Sequence, residues 1–269
     1  MKELLSLPFF QNALLISLLL GIIFGLLSFF VVLRRMVFIG AGIAHMAFGG
    51  VALGVLLGIQ PFVTSLVFCL AASVIIHQMT RTGQVTYDTG IGVFFSFAMA
   101  LGALFIALKK TYAFDLSGYL FGNILGVSGT DTLITAGVAI LFLIFILVFL
   151  QKLLFISFDE QVARVNGIRV VHLDLLLLMA LAAVIVASMK MVGIILVSAL
   201  TVLPASFGML LSRHYAWVIL ASILYSIAIM LGGLFLSYTL DTPTGATMVV
   251  LGTLIYFLVL LIKSLKYRK

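Results

Sequence analysis

Four histidines and eight acidic residues are the chain's stock of side chains able to hold a cation or pass a proton. One of them stands apart. His45 lies in "RRMVFIGAGIAHMAFGGVALGVLLG", Arg34 to Gly58, an apolar run of membrane-crossing length with one imidazole among small residues. It falls within two positions of the centre of its run, about 3 Å along a helix axis. An ionisable group at that depth is a functional candidate, the competing reading being a histidine hydrogen-bonded to a neighbouring helix for packing. Neutral imidazole is a good ligand for zinc and an acceptable one for manganese or iron.

The other reactive residues are less pointed. Asp241 opens "DTPTG" at a span end, where it could attract cations at a pathway mouth or cap the last helix. Asp115 and Asp131 flank the segment 109–131 and could receive a protein partner or stand as solvated loop charges. His77, His172 and His214 lie near span ends, where interfacial roles are ordinary. No HExxH, paired intramembrane aspartates or Ser–His arrangement occurs, which argues against an intramembrane enzyme. The acidic residues fall at or near span ends, which argues against a transporter coupled to protons or sodium. The single cysteine, Cys69, excludes an intramolecular disulfide.

These residues must be positioned by membrane helices. The 269-residue chain is 64% hydrophobic and 9% charged, against roughly 25% charged in a soluble domain. Crossing the hydrocarbon takes about 20 apolar residues, and the sequence predicts about nine such spans (eight to ten): 9–33, 36–59, 61–80, 90–108, 132–151, 171–189, 192–212, 215–239 and 244–262. The first reads as a retained helix rather than a signal peptide. The fold class is an all-α polytopic membrane protein, one domain over residues 1–269. No polar segment is large enough for a nucleotide-binding domain, so any chemical energy must come from another chain.

Basic residues orient the spans. With the C-terminus in the cytoplasm, that side holds Arg34, Arg35, Arg81, Lys152, Arg164, Arg169, Arg213, Lys263, Lys266, Arg268 and Lys269, leaving Lys2, Lys109, Lys110 and Lys190 outside. This asymmetry favours a cytoplasmic C-terminus and, for nine spans, an outer N-terminus in a cell membrane. It also accounts for the net charge of +7 without nucleic acid.

Small residues recur at helical spacing in three stripes, expected at helix contacts: Gly92, Ser96, Ala100, Ala103 and Ala107; Ser198, Thr201, Ala205 and Gly208; Ala41, His45, Gly49 and Ala52. Pro204 removes a backbone donor in mid-span, and an opened helix beside Ser198 and Thr201 suits a protein-lined or watery path. The segment "SFDEQVARVNGIRVVHLD", Ser157 to Asp174, is the most polar internal stretch. Ser157 or Asp159 could cap a short helix there and Gly167 end it. It reads either as a docking knob for a cytoplasmic partner or as a solvated loop.

With these motifs on the page, the chain resembles the membrane permeases of ATP-binding-cassette importers for zinc, manganese and related divalent metals. The resemblance runs through "RRMVFIGAGIAHMAFGGVALG" at 34–54, "GYLFGNIL" at 118–125, "FDEQVARVNGI" at 158–168, "VGIILVSALTVLPAS" at 192–206 and "DTPTGATMVVLG" at 241–252. It implies a fold like that of vitamin B12 importer permeases, a homodimer, two cytoplasmic ATPase subunits, and an extracytoplasmic binding protein that delivers the metal. It implies a coupling helix within about 157–169, carried by Phe158, Asp159, Glu160, Ala163 and Gly167, and a metal ligand at His45. No permanently bound cofactor is implied; the metal is cargo. The family often places an aspartate one turn before this histidine, where this chain has Ala41. That departure weakens the site and modestly favours zinc over manganese. Within the same class, the alternative cargo is a metal chelate or a vitamin-sized compound.

Overall fold

The structure, a computed structural model, describes residues 8–109, 122, 124 and 128–267. The described residues form eleven α-helices and no strand. They are α1 (Pro8–Leu33), α2 (Ile39–Leu57), α3 (Pro61–Arg81), α4 (Tyr87–Lys109), α5 (Gly129–Phe158), α6 (Glu160–Val165), α7 (Val170–Val192), α8 (Ile194–Leu200), α9 (Leu203–Leu211), α10 (Tyr215–Leu240) and α11 (Thr244–Tyr267). With α8 and α9 taken as one broken span, nine segments among the described residues have the length and apolarity to cross a membrane. Each of the nine expected spans has its helix.

Local chemistry sets the boundaries. The span expected from position 36 begins at Ile39, because Arg35 takes a left-handed φ of 57° and the chain turns before the helix starts. Gly58, at φ 70°, closes α2 with its N–H on the carbonyl of Gly54, and Pro61 opens α3 at a position that needs no donor. Gly193 separates α7 from α8. The break expected near Pro204 falls at Thr201–Val202, and the proline sits in the first turn of α9. The expected interruption at 152–170 is shorter than predicted, since α5 continues to Phe158.

The contacts divide the chain into two compact units. One holds residues 1–32, 116–136 and 189–269. In it, Gly21 and Gly25 of α1 lie against Ile227 and Ile223 of α10, an antiparallel contact too close for any side chain at either glycine. Tyr225 donates its hydroxyl to the carbonyl of Gly252 at 2.6 Å, tying α10 to α11.

The other unit holds residues 33–115 and 137–188, and its centre is α2. A methyl added at Gly49 would meet the carbonyl oxygen of Ala98 at 2.6 Å, and one at Gly50 the Cα of Ser65 at 2.5 Å. The glycines of α2 therefore let α4 and α3 approach at backbone distance, the packing that substitutes for hydrophobic drive within lipid. Gly42 meets Ile91 just as Gly49 meets Ala98, so α2 and α4 run parallel. The stripe on α4 does not share in this contact. Gly92, Ser96, Ala100, Ala103 and Ala107 are all exposed, and the packed face carries Gly90, Ile91, Ala98 and Gly102 instead. Residue size misled here: bulk at Ile91 is accommodated by the missing side chain of Gly42.

Candidate functional site

His45 sits in the second turn of α2, half-buried. Its Nδ1 lies 2.7 Å from the carbonyl oxygen of Ala41, one turn earlier. A carbonyl oxygen only accepts, so Nδ1 carries the proton and donates, and the neutral ring keeps its lone pair on Nε2. A backbone carbonyl holding one imidazole nitrogen is one of the ways a protein orients a metal-ligating histidine. The ring also meets Phe95 of α4 edge to face, with centroids 5.0 Å apart. Two contacts thus fix the imidazole while leaving one nitrogen available. Ala41 supplies no ligand side chain, but its backbone sets the tautomer.

His45 borders a cavity of about 530 Å³, whose walls include Phe38, Ala41, Gly42, Asp88, Gly92 and Phe95. The cavity lies wholly between α2 and α4, within one unit. Asp88 is the site residue that the sequence reading missed. It stands in the first turn of α4, in a stretch read there as a loop. No group of three or more histidine, cysteine or acidic side chains suited to a metal occurs among the described residues. A single chain therefore offers a sparse site.

The remaining candidates lie apart from this cavity. Asp241 closes α10 in a left-handed conformation, its N–H on the carbonyl of Ser237, and is exposed. It belongs to the end of that helix rather than the start of the last one. Ser198 donates to the carbonyls of Ile194 and Ile195, and Thr201 to that of Ser198. Their hydroxyls are satisfied by their own helix, and Thr201 and Pro204 are buried. Asp131 forms an ion pair with Lys190 at 2.7 Å and accepts from the Ser128 hydroxyl at 2.6 Å. It is not a free loop charge. Asp115 lies outside the described residues. His77 is buried rather than interfacial, with Nδ1 3.4 Å from the Tyr87 hydroxyl.

The short helix expected after position 157 is α6. Asp159 caps it, accepting from the N–H of Val162 at 2.9 Å, while Ser157 donates back into α5. Glu160 and Arg164 pair one turn apart. Gly167, at φ 76°, ends the element with its N–H on the carbonyl of Arg164. Ala163 points inward against Ile156, Val170 and Leu173. Phe158 and Val165 are 65% and 88% exposed. The six-residue helix thus anchors through Ala163, with Val165 exposed on it and Phe158 exposed at the end of α5.

Comparison with known proteins places this geometry in a family. Residues 6–263 match the ABC 3 transport family. The chain is 36% identical to the manganese import system permease protein ScaB of Streptococcus gordonii, over 92% of this chain and 89% of that one. It is 33% identical to the manganese transport system membrane protein MntC of Listeria innocua, over 97% and 93%. Among solved structures it is similar to PsaBC from Streptococcus pneumoniae in complex with Fab, with a TM-score of 0.83, 34% identity, and 96% and 93% of the two chains covered. A match this long, through the segments that carry His45, α6 and Asp241 alike, is decisive: the chain belongs to the ABC 3 transport family and is built as a polytopic helical permease.

Proposed function

We propose that this chain is the permease of an ATP-driven importer that carries a divalent first-row metal, manganese in the first instance, into the cytoplasm. The observation that carries the reading is the oriented imidazole of His45, with Nδ1 on the Ala41 carbonyl and Nε2 left as a lone-pair donor beside a cavity. The named manganese permeases among its relatives support the cargo, against the zinc preference expected from Ala41.

In this reading the whole chain is one permease domain that works as a homodimer, two copies of His45 forming a weak, symmetric and transient station. A station built from one histidine per subunit holds an ion loosely, which suits a protein that must release it. The arginine-rich ends of the spans face the cytoplasm, the C-terminus lies there, and the N-terminus lies outside. An extracytoplasmic binding protein delivers the metal near Asp241, and the region of Ser198, Thr201 and Pro204 forms part of the path. Two cytoplasmic ATPase subunits dock on Phe158, Asp159, Glu160, Ala163 and Gly167. The chain itself hydrolyses nothing and keeps no resident cofactor.

The test is ATPase activity of the complex reconstituted with its ATPase and binding protein, screened with manganese, zinc and iron. Stimulation by manganese above the other two is expected. Stimulation by a chelate or a vitamin-sized compound, and by no free metal, would overturn the cargo.

A further inference from the structure

The cavity beside His45 has a second donor that the role of the histidine leaves unused. Asp88, half-buried as a residue, lines the same walls, and its Oδ1 is buried with no hydrogen-bond partner among the described residues. The position does not explain itself as a helix cap. Thr86 caps α4, its Oγ1 accepting from the N–H of Thr89 at 3.2 Å and lying 2.9 Å from the Thr89 hydroxyl. A carboxylate oxygen withdrawn from water with no donor is costly unless a cation meets it.

The helix register sets how far apart the two residues lie along the helix axis. Gly42 faces Ile91 and Gly49 faces Ala98, so Asp88 is level with Ile39 and His45 is level with Phe94. The six residues between those levels span about 9 Å of helix axis. Both side chains line the cavity across that interval, so an ion can be held at the level of Asp88 as well as at that of His45. A divalent ion at the level of Asp88 that keeps part of its water shell can meet the carboxylate directly or through water. A carboxylate oxygen is also a more suitable ligand for manganese than imidazole.

We propose that Asp88 is a second cation station in the cavity of His45, holding a partly hydrated divalent ion on the side of Arg34 and Arg81. On the orientation proposed above, that is the cytoplasmic side, so an ion leaving His45 meets Asp88 on its way out. The assignment rests on the transport reading of His45, but it concerns a different residue and can fail separately.

Gly92 provides the probe. It lines the cavity, is exposed, and has no atom within 4 Å of an added Cβ, and the only native cysteine, Cys69, is buried. The assembled complex carrying Gly92→Cys is labelled with a thiol reagent, with and without manganese alone. Manganese should slow labelling in this variant. It should still slow labelling after His45→Ala, at higher concentration, and cease to do so after His45→Ala with Asp88→Asn. Asp88→Asn alone should lower manganese uptake, with Asp88→Glu restoring most of it. Loss of all protection on His45→Ala alone, a comparison that leaves Asp88 untouched, overturns the second station. So does equal protection with and without the Asp88 carboxylate. If instead His45→Gln transports normally, the transport reading itself fails.

Discussion

Arg34 and Asp174 form an ion pair with both side chains about nine-tenths buried, joining the turn before α2 to the second turn of α7. The pair lies within the unit that holds His45 and α6, and Arg34 precedes the helix that carries the histidine. Removing one member strands the other charge away from water, which costs about 3–5 kcal/mol, whereas replacing both by apolar residues of similar volume is far milder. Arg34→Ala should therefore lower the thermal stability of the purified permease sharply, and Arg34→Met with Asp174→Leu should recover most of the loss. A double variant as unstable as the sum of its two single changes would show that the two residues are not coupled.

The proposed docking role of α6 has a sharper test than its acidic residues suggest. Asp159 caps α6, so Asp159→Ala removes about 1 kcal/mol of local helix stability whether or not anything docks there. Val165 is 88% exposed. Val165→Asp should leave permease stability unchanged and weaken co-purification of the ATPase. Undiminished assembly with Val165→Asp and Phe158→Asp together would remove α6 as the docking element.

Backbone contact at α2 predicts a steep steric cost at one glycine and little at another. Gly49→Val places its side chain against the Ala98 carbonyl, 2.6 Å from the ideal Cβ, and overpacking of this kind costs about 1–3 kcal/mol. Gly92→Ala meets nothing within 4 Å and should be neutral. Detergent thermostability of the two variants measures the difference. Equal stabilities would mean that α2 and α4 do not meet at Gly49.

Topology is checked by labelling from one side of the membrane. Cysteines at Arg169 and Lys266 should react only from the cytoplasm, and one at Thr130, beside the Asp131–Lys190 pair, only from outside. Reaction of positions 130 and 169 from the same side would contradict the nine-span arrangement.

The helices were legible because about 20 consecutive apolar residues have few other fates, and Pro204 announced the broken span. His45 was legible as the one imidazole deep within a run. What the sequence hid follows from contacts between distant positions. Nothing local marks Arg34 as the partner of Asp174, or His77 as buried against Tyr87. Asp88 was hidden by a boundary: α4 starts at Tyr87 rather than at position 90, which turns a loop aspartate into a cavity wall. The α4 stripe misled because small residues can pack within the chain or lie open on its surface, and spacing does not distinguish the two.

The central claim is that the Nε2 of His45, freed by the bond from Nδ1 to Ala41, binds the transported ion. Manganese uptake into proteoliposomes holding the permease, its ATPase and its binding protein tests it most directly, with His45→Gln compared to the unaltered chain. Glutamine keeps a hydrogen-bonding amide and loses the imidazole donor. The account predicts assembly with the ATPase intact and uptake reduced to that of liposomes without the complex. Uptake at the unaltered rate would make His45 a packing residue and put the metal site elsewhere.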